Sequence, residues 1–208
     1  MTRGTLTRDY FEGLYERDED PWGFASSLYE AQKYDATLEA LGGRHFADAL
    51  ELGCSIGVFT ARLAGHCERV LALDVSERAV ARARERLTGL PAVEVRRATL
   101  PDELPARSFD LVVCSEILYY WEPETLRGAL PALAGAVAPG GSLLAVHWTA
   151  PTRTYPLRGD EVHDMLIAEL GLTPAYAQHN DRYRLDRFDA RPSNGSKARP
   201  FDGSNAHP

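Results

Sequence analysis

Apolar residues recur along this chain in short runs, and segments with helical spacing separate the runs. The runs predict five buried strands, at residues 47–52, 69–74, 92–96, 109–114 and 142–148. The intervening segments predict helices, at residues 58–64, 77–88 and 123–138. Strands that alternate with helices at this interval are typical of a parallel α/β sheet.

Two helices are predicted before this alternating region, at residues 7–17 and 26–41. Between them, Pro21 and Gly23 break regular structure, with Trp22 in the middle. Trp22 fits two compatible roles, a packing residue under a lid or part of a lid that closes on a bound molecule.

A helix and a hairpin are predicted after the alternating region. Residues 159–170 have a helical pattern, whereas 173–179 and 183–188 alternate in polarity around a short turn, which indicates two antiparallel strands. Residues 191–208 are rich in Pro, Ser, Asn and Gly and are expected to be a disordered tail. We therefore predict one domain, residues 1–190, with N-terminal lid helices within residues 1–42.

The first strand leads into a glycine turn with the sequence Glu51-Leu-Gly-Cys-Ser-Ile-Gly57. Gly53 allows a backbone conformation that other residues resist, and it lets a ligand lie against bare peptide. The free amides and the positive dipole end of the following helix favour an anionic group on a nucleotide-like ligand. Ser55 stands where the dinucleotide fingerprint needs glycine, which counts against a nicotinamide cofactor.

Asp74 ends the second predicted strand, 23 residues after Glu51. An acidic residue about 20 residues beyond a glycine turn commonly accepts hydrogen bonds from ribose hydroxyls. The alternative is that Asp74 only starts the next helix, for which Ser76 is a plausible N-cap. The glycine turn and Asp74 together are more specific than either alone, and they favour ribose binding.

In open sheets, ligands lie beyond the carboxyl ends of the strands. The residues with binding or catalytic chemistry fall at that edge in the predicted topology: Gly53 to Gly57, Asp74, Thr99, Ser115, Glu116 and His147. The sequence therefore predicts one ligand site on one edge of the sheet.

Composition narrows the classes of partner. The chain has 208 residues, 44% of them hydrophobic, and a net charge of −7, which suits one globular domain and a small substrate and argues against a nucleic-acid partner. Three scattered cysteines indicate neither a disulfide framework nor a zinc site, so a reducing cytoplasm is expected. No signal peptide or membrane-spanning run is evident, and a monomer or a homodimer is expected.

Four motifs together resemble those of class I S-adenosylmethionine (SAM) methyltransferases. They are Glu51-Leu-Gly-Cys-Ser-Ile-Gly57, Leu73-Asp74, Phe109-Asp-Leu-Val-Val113 and Ala138-Pro-Gly-Gly-Ser-Leu-Leu144. Asp20-Pro-Trp22 with Tyr29-Glu30, and Ser115-Glu-Ile-Leu-Tyr-Tyr120, resemble more narrowly the NodS-type N-methyltransferases, which methylate the free amine of a deacetylated glucosamine unit. The resemblance, from about Tyr10 to Phe188, implies a Rossmann-like α/β fold with a seven-stranded, mostly parallel sheet and a C-terminal antiparallel hairpin.

The resemblance also implies SAM as cofactor, with S-adenosylhomocysteine as product. Gly53 and Gly57 would then lie under the methionine part, Asp74 would hold the ribose, and residues 115–117 would flank the sulfonium. Thr99 would lie beside the adenine, where many relatives have aspartate. The expected cofactor-binding residues are Trp22, Glu51, Gly53, Cys54, Ser55, Gly57, Asp74, Val75, Thr99, Leu100, Ser115, Glu116 and Ile117.

Two residues are candidates for catalysis. His147 is the candidate general base, because imidazole titrates near neutrality and the residue ends a strand at the ligand edge; alternatively it is a structural part of the wall. Glu116 could steer a cationic amine or simply cap the following helix. The candidate substrate-binding residues are Tyr119, Tyr120, His147 and Trp148.

We thus predict a SAM-dependent methyltransferase acting on a small molecule, with the amine of an amino sugar as the expected acceptor. Two alternatives stay open: an O-methyltransferase of a small natural product, and a SAM-binding module without catalysis. No metal site is predicted, because the adjacent aspartates and the asparagine of the catechol-type magnesium site are missing after the fourth strand.

Overall fold

A computed structural model describes residues 4–193 of the chain. Its strands are β1 (Ala49–Leu52), β2 (Val70–Asp74), β3 (Val93–Arg97), β4 (Phe109–Ser115), β5 (Val137–Trp148), β6 (Thr173–His179) and β7 (Tyr183–Asp189). Its helices are α1 (Arg8–Arg17), α2 (Leu28–Glu39), α3 (Val58–Leu63), α4 (Glu77–Arg86), α5 (Pro123–Gly135) and α6 (Gly159–Glu169).

The seven strands form one sheet in the order β3-β2-β1-β4-β5-β7-β6. Strands β1 to β5 are parallel, and β7 pairs antiparallel with both β5 and β6. The predicted α/β sheet with a C-terminal antiparallel hairpin is therefore confirmed.

Helices cover both faces of the sheet, which explains the uninterrupted apolar runs of the central strands. One apolar cluster joins the sheet to α5 and α6, and the other joins it to α2, α3 and α4. All residues of β1 and β2 are buried. Because β1 lies between β2 and β4, the strand order reverses there, and a crevice opens beyond the carboxyl ends of these strands.

Strand β5 begins earlier than the sequence predicts. The Pro139-Gly140-Gly141 motif indicates a break between helix and strand, yet Val137 already pairs with Phe109 of β4. The register between β4 and β5 shifts after this pair, so the motif lies inside the strand as an irregularity. A Cβ at Gly141 would lie 2.8 Å from the carbonyl oxygen of Asp110, and glycine is therefore needed there.

The predicted disordered tail falls largely on residues 194–208, which lie outside the described residues. Within residues 4–193, the helices are all too short or too polar to cross a membrane.

Candidate active site

The glycine turn links the carboxyl ends of β1 and β2. Gly53 and Cys54 donate their backbone N–H groups to the carbonyl oxygen of Leu73, at 2.8 and 2.9 Å. Gly53 has a φ of +77° and Ser55 a φ of +51°, both in the left-handed region. On the β4 side, a Cβ at Gly53 would lie 3.1 Å from the side chain of Ile117. Glycine at this position therefore lets the turn approach the segment that follows β4.

The Asp74 carboxylate lies at the end of β2 and is held by two backbone amides. Its Oδ2 accepts from the N–H of Ser55 at 2.8 Å, and its Oδ1 accepts from the N–H of Ser76 at 2.9 Å. Burial raises the pKa of Asp74 to about 6, although these hydrogen bonds oppose the shift. The N-cap of α4 is the Ser76 hydroxyl, as predicted, which accepts from Ala79. The backbone N–H of Val75 is a further donor to this carboxylate, so the turn and the segment before α4 together orient Asp74 in the cavity wall.

Glu51 is a fully buried carboxylate on β1. Its Oε2 has no hydrogen-bond partner among the residues that the structure describes. Burial raises the pKa of Glu51 to about 7; the Thr60 side chain opposes this shift and the Asp74 charge adds to it. A buried carboxyl oxygen without a partner is costly, and it leaves Glu51 able to accept from a donor or cation of a bound molecule.

A cavity of about 450 Å³ lies over this edge of the sheet. The expected site residues that line it are Trp22, Gly53, Ser55, Asp74, Val75, Thr99, Leu100, Glu116, Ile117 and Tyr120. A smaller pocket of about 20 Å³ adjoins it through Gly53, Ser55 and Glu116, and reaches Glu51, Cys54 and Ser115. The structure therefore gathers most of the expected cofactor-binding residues around one connected space.

Within the predicted lid region, residues 1–42, helix α1 and residues 18–27 form one wall of the cavity. The Tyr15 hydroxyl lies 2.5 Å from the Ser55 Oγ. The rings of Trp22 and Phe24 are stacked with centroids 5.5 Å apart, and Trp22 contacts Tyr15 at 5.6 Å. Trp22 therefore packs against neighbouring aromatic rings and also lines the cavity, an arrangement compatible with both predicted roles.

Charged side chains of α4 fasten the lid. Arg82 donates to the carbonyl oxygens of Tyr15, Asp18 and Glu19, at 3.2, 3.5 and 3.2 Å. These groups lie at the C-terminal end of α1, where a cation is favoured by the helix dipole. Sequence reasoning missed that α1 supplies Tyr15 to the cavity, although the predicted helix 7–17 was the available signal.

Gly57 has a different environment from the one that the resemblance implies. Its φ is +76°, and a Cβ there would lie 2.9 Å from Leu87 Cδ1 and 3.2 Å from the Ala83 Cα. It is absent from the residues that line either cavity in the described part of the chain. The glycine is needed for close packing of the α3 start against α4, and its expected position under the methionine part of a cofactor is not supported.

Substitution Gly57→Ala should destabilise the fold by at least about 2 kcal/mol, because left-handed backbone costs roughly 1–2 kcal/mol and overpacking roughly 1–3 kcal/mol. The free energy of unfolding in urea measures this effect. Gly128→Ala on α5 is the matched control, since a Cβ there meets no atom within 4 Å. Equal stability of the two variants would show that α4 yields to the methyl group.

Glu116 follows β4 in a strained conformation, with a φ of +54°. Its Oε1 lies 2.5 Å from the Nζ of Lys33, and its Oε2 accepts from the Tyr119 hydroxyl and from the Trp148 N–H at 3.0 Å. Lys33 also lies 2.8 Å from an oxygen of Glu30. Glu116 is thus a fixed carboxylate at the cavity wall, with three of its roughly four acceptor positions occupied.

Lys33 was not foreseen as a site residue. Its side chain is only 1% exposed, and the two carboxylates raise its pKa although burial lowers it. Burial raises the pKa of Glu30, and Lys33 opposes that shift. The ammonium ties α2 to the turn after β4. The sequence signal was the Glu30–Lys33 spacing, but such pairs normally lie on solvated helix faces.

The structure contradicts the expected role of His147 as a general base. The ring is 0% exposed and is absent from the lining of both described cavities. Its Nε2 accepts from the Leu118 N–H at 3.1 Å, and its Nδ1 lies 3.1 Å from His163 Nε2. Burial holds the pKa of His147 well below its usual value, and His163 and Lys33 reinforce the shift. His147 therefore has the alternative, structural role, and neither nitrogen can reach a substrate.

Of the aromatic residues expected to bind the substrate, some line the cavity and others lie behind its wall. Tyr120 lines the cavity, whereas Tyr119 lies behind it and donates to Glu116. The Trp148 backbone also binds Glu116, and its side chain is absent from the described cavity lining. Tyr119 and Trp148 consequently support the wall, and only Tyr120 is placed to touch a bound molecule.

Thr99, the residue that departs from the family pattern, already forms hydrogen bonds within the protein. Its Oγ1 accepts from Arg97 Nη1 at 3.1 Å, and its backbone N–H donates to Glu103 Oε2 at 2.5 Å. Asp102 also lines the cavity at this end. The described residues contain no group of three or more His, Cys, Asp or Glu side chains that could hold a metal ion.

Comparison with known proteins agrees with this arrangement. The family model of Nodulation protein S (NodS) matches residues 7–147. Nodulation protein S of Sinorhizobium fredii is 34% identical over 128 residues, which make up 61% of this chain and 59% of that relative. The relative from Bradyrhizobium diazoefficiens is 32% identical over 67% of this chain and 69% of its own length. The chain thus spans less than two thirds of the first of these proteins.

A solved structure extends the likeness to the fold. The N-methyltransferase NodS from Bradyrhizobium japonicum WM9, in complex with S-adenosyl-L-homocysteine, superposes with a TM-score of 0.73 at 26% identity. The superposition covers 86% of this chain and 97% of that one. Since the family model also matches more than half of the sequence, this chain belongs to the Nodulation protein S family.

Proposed function

We propose that this chain is a SAM-dependent methyltransferase that methylates the nitrogen of a small amine. The observation that carries the proposal is the cavity over the glycine turn, which has the Asp74 carboxylate in its wall and reaches the unpartnered Glu51 through the smaller pocket. Membership in the NodS family supports it, as does the relative solved with S-adenosyl-L-homocysteine.

The residues around the cavity fit SAM. The amino group of its methionine part is a cation, and Glu51 Oε2 is a buried acceptor that lacks a partner among the described residues. The Asp74 carboxylate lies in the cavity wall, where it is available to the ribose hydroxyls, the role that the sequence predicts. The apolar and aromatic lining, including Ile117 and Leu100, suits the adenosyl part.

When bound, SAM would supply an electrophilic methyl group on a sulfonium ion. The main contribution of the protein is then orientation, which can supply roughly 7–11 kcal/mol. Trp22 and Phe24 line the cavity as a stacked pair, and we assign them the task of limiting the access of water to the bound cofactor. Glu116 has one acceptor position left, and we assign it the task of orienting an N–H of the acceptor. With His147 buried, the amine enters as the free base, and its proton goes to solvent before binding.

An amino sugar is the acceptor class that we propose. The narrower motifs, Asp20-Pro-Trp22 and Ser115 to Tyr120, resemble those of enzymes that methylate a glucosamine amine, and the net charge of −7 suits a cationic or basic partner. The cavity-lining Tyr120 offers an aromatic surface for a sugar ring.

Two measurements test the proposal in order. Calorimetry should show binding of S-adenosylhomocysteine in preference to NAD, because Ser55 and the 51–57 turn depart from the dinucleotide pattern. Labelled SAM should then transfer its methyl group to amino sugars and not to matched sugars with a hydroxyl in place of the amine. Tight binding of NAD alone would overturn the cofactor assignment; transfer only to hydroxyl acceptors would overturn N-methylation; and cofactor binding without transfer to any acceptor would favour a binding module.

A further inference from the structure

A chain of buried polar side chains runs from β7 through α6 to the turn after β4. Asp186 Oδ2 lies 2.7 Å from His163 Nδ1, and His163 Nε2 lies 3.1 Å from His147 Nδ1. His147 Nε2 then accepts the backbone N–H of Leu118 at 3.1 Å. Both imidazole rings are 0% exposed. This buried chain lies outside the cavity, and the proposed function makes no use of it.

The chemistry of its two ends fixes the direction of every hydrogen bond in this chain. The Arg184 guanidinium can only donate, so Asp186 Oδ2 acts as an acceptor; His163 therefore holds its proton on Nδ1 and accepts at Nε2. The Leu118 N–H can only donate, so His147 must accept at Nε2 and hold its proton on Nδ1. Burial lowers the pKa of His163 although Asp186 opposes the shift, and Arg184, whose Nε donates to the same Asp186 oxygen at 3.1 Å, adds to the lowering. Both imidazoles are therefore neutral Nδ1–H tautomers.

The chain of hydrogen bonds ends at the strained turn beside the cavity, residues 116–118. Three successive residues of β5 each bind it: the Val146 carbonyl accepts the Glu116 N–H at 2.9 Å, His147 accepts the Leu118 N–H, and the Trp148 N–H donates to Glu116. Two of these bonds involve backbone groups of β5, whose polarity is fixed. Only the bond from His147 depends on a tautomer.

Gly159 allows α6 to pack closely against the end of β5. It is the first residue of α6, and a Cβ there would lie 2.4 Å from the Trp148 carbonyl oxygen and 3.1 Å from the His147 Cβ. Glycine thus lets α6 approach β5, four residues before the position where it presents His163. The approach needs this glycine, as a methyl group would push α6 away from His147.

We propose that Asp186, His163 and His147 form a positioning relay that holds residues 116–118 in the conformation needed for methyl transfer. The relay acts through the turn and touches neither cofactor nor acceptor. Its members His163 and Asp186 lie beyond residues 7–147, the part that the family model matches. The kinetic test of the relay rests on the proposed function, whereas the spectroscopic test does not.

The spectroscopic test is a long-range ¹H–¹⁵N correlation spectrum of the full chain labelled with ¹⁵N-histidine. We expect His147 and His163 to show the neutral Nδ1–H pattern at pH 7 and to keep it as the pH falls through 6.5. The charged groups that face the two rings are Lys33, Asp160, Arg184 and Asp186, with the Tyr119 ring beside His147. A proton on Nε2 of either ring, or ordinary titration near pH 6.5, would overturn the relay.

The kinetic test compares two substitutions of His163. His163→Gln retains one acceptor and one donor, and its kcat should stay within about threefold of the wild type. His163→Leu has neither and should lower kcat by about tenfold to a hundredfold, the effect of a small misplacement at a reacting centre, while KM for SAM changes less than threefold.

The matched control is Val162→Ala, which disturbs the buried face of α6 beside His163 but removes no hydrogen bond. Its kcat should equal that of the wild type at a comparable loss of melting temperature. If Val162→Ala lowers kcat as much as His163→Leu, the effect comes from packing, and the relay is refuted. If His163→Leu does not fold, the tautomers and the activity of His163→Gln decide the question. If the protein binds S-adenosylhomocysteine but transfers no methyl group to any acceptor, the proposed function is wrong. The tautomers of His147 and His163 in the NMR spectrum then still support or refute the relay.

Discussion

Substitution Asp74→Asn should weaken the binding of S-adenosylhomocysteine by about two orders of magnitude. The carboxylate is available to the ribose hydroxyls, and hydrogen bonds to a charged acceptor contribute roughly 1.5–3 kcal/mol each. An asparagine in the same place also turns an NH₂ group toward one of the backbone donors, Ser55 or Ser76, that now bind the carboxylate. Isothermal titration calorimetry at pH 7.5 gives the dissociation constant.

Asp110→Asn is the matched control for Asp74. Asp110 is also an aspartate that accepts a backbone N–H, that of Asp48, but it lies at the amino end of β4, away from the cavity. We expect its cofactor affinity to stay at the wild-type level. If Asp74→Asn binds S-adenosylhomocysteine like the wild type and keeps its fold, then Asp74 only supports the turn.

Substitution Glu51→Gln should stabilise the free protein at alkaline pH and weaken the cofactor. The folded-state pKa of Glu51 is raised from 4.5 to about 7. Its contribution to stability is therefore fully present below about pH 4.5 and is lost as the pH rises through 7, because the fold must then hold a buried carboxylate. Glutamine carries no such charge, so the variant should be more stable by about 3 kcal/mol at pH 8.5 and about equal at pH 4.5.

Cofactor affinity should change in the opposite direction. Without the Glu51 carboxylate, the ammonium group of the methionine part loses its buried partner, and S-adenosylhomocysteine should bind about tenfold to a hundredfold more weakly. The control ligand is 5′-methylthioadenosine, which lacks the amino-acid part and should bind both proteins equally. A stability difference that does not vary with pH would contradict the buried charge, and an equal loss for the two ligands would place the cofactor amine elsewhere.

Much of the fold and half of the site follow from local sequence. The apolar runs locate the central strands β1, β2 and β4 within one or two residues, because burial on both faces leaves a continuous signal, whereas the start of β5 is missed. The glycine turn, Asp74 and Ile117 meet at one edge because parallel strands share the direction of their carboxyl ends. For these residues, chain order and strand direction determine the position.

The side-chain positions of other residues depend on contacts between distant parts of the chain. Lys33 reads as an exposed helix residue, yet it is buried because Glu116, 83 residues away, pairs with it. His147 ends a strand at the ligand edge, but its ring turns toward α6 and meets His163. Tyr15 reaches Ser55 because Arg82 and its neighbours dock α1 on α4.

The sequence by itself determined the strand, turn and helix that form the cofactor edge, together with the acidic residue at the end of β2, since these depend on periodicity and spacing alone. The tertiary structure decided which polar side chains face the cavity and which face the core. At the end of β5, successive residues point to opposite faces of the sheet, and the ring of His147 lies on the face where α6 packs, where it meets His163. The packing of the helices decides which face of the sheet α6 covers. The local sequence around His147 does not predict this packing.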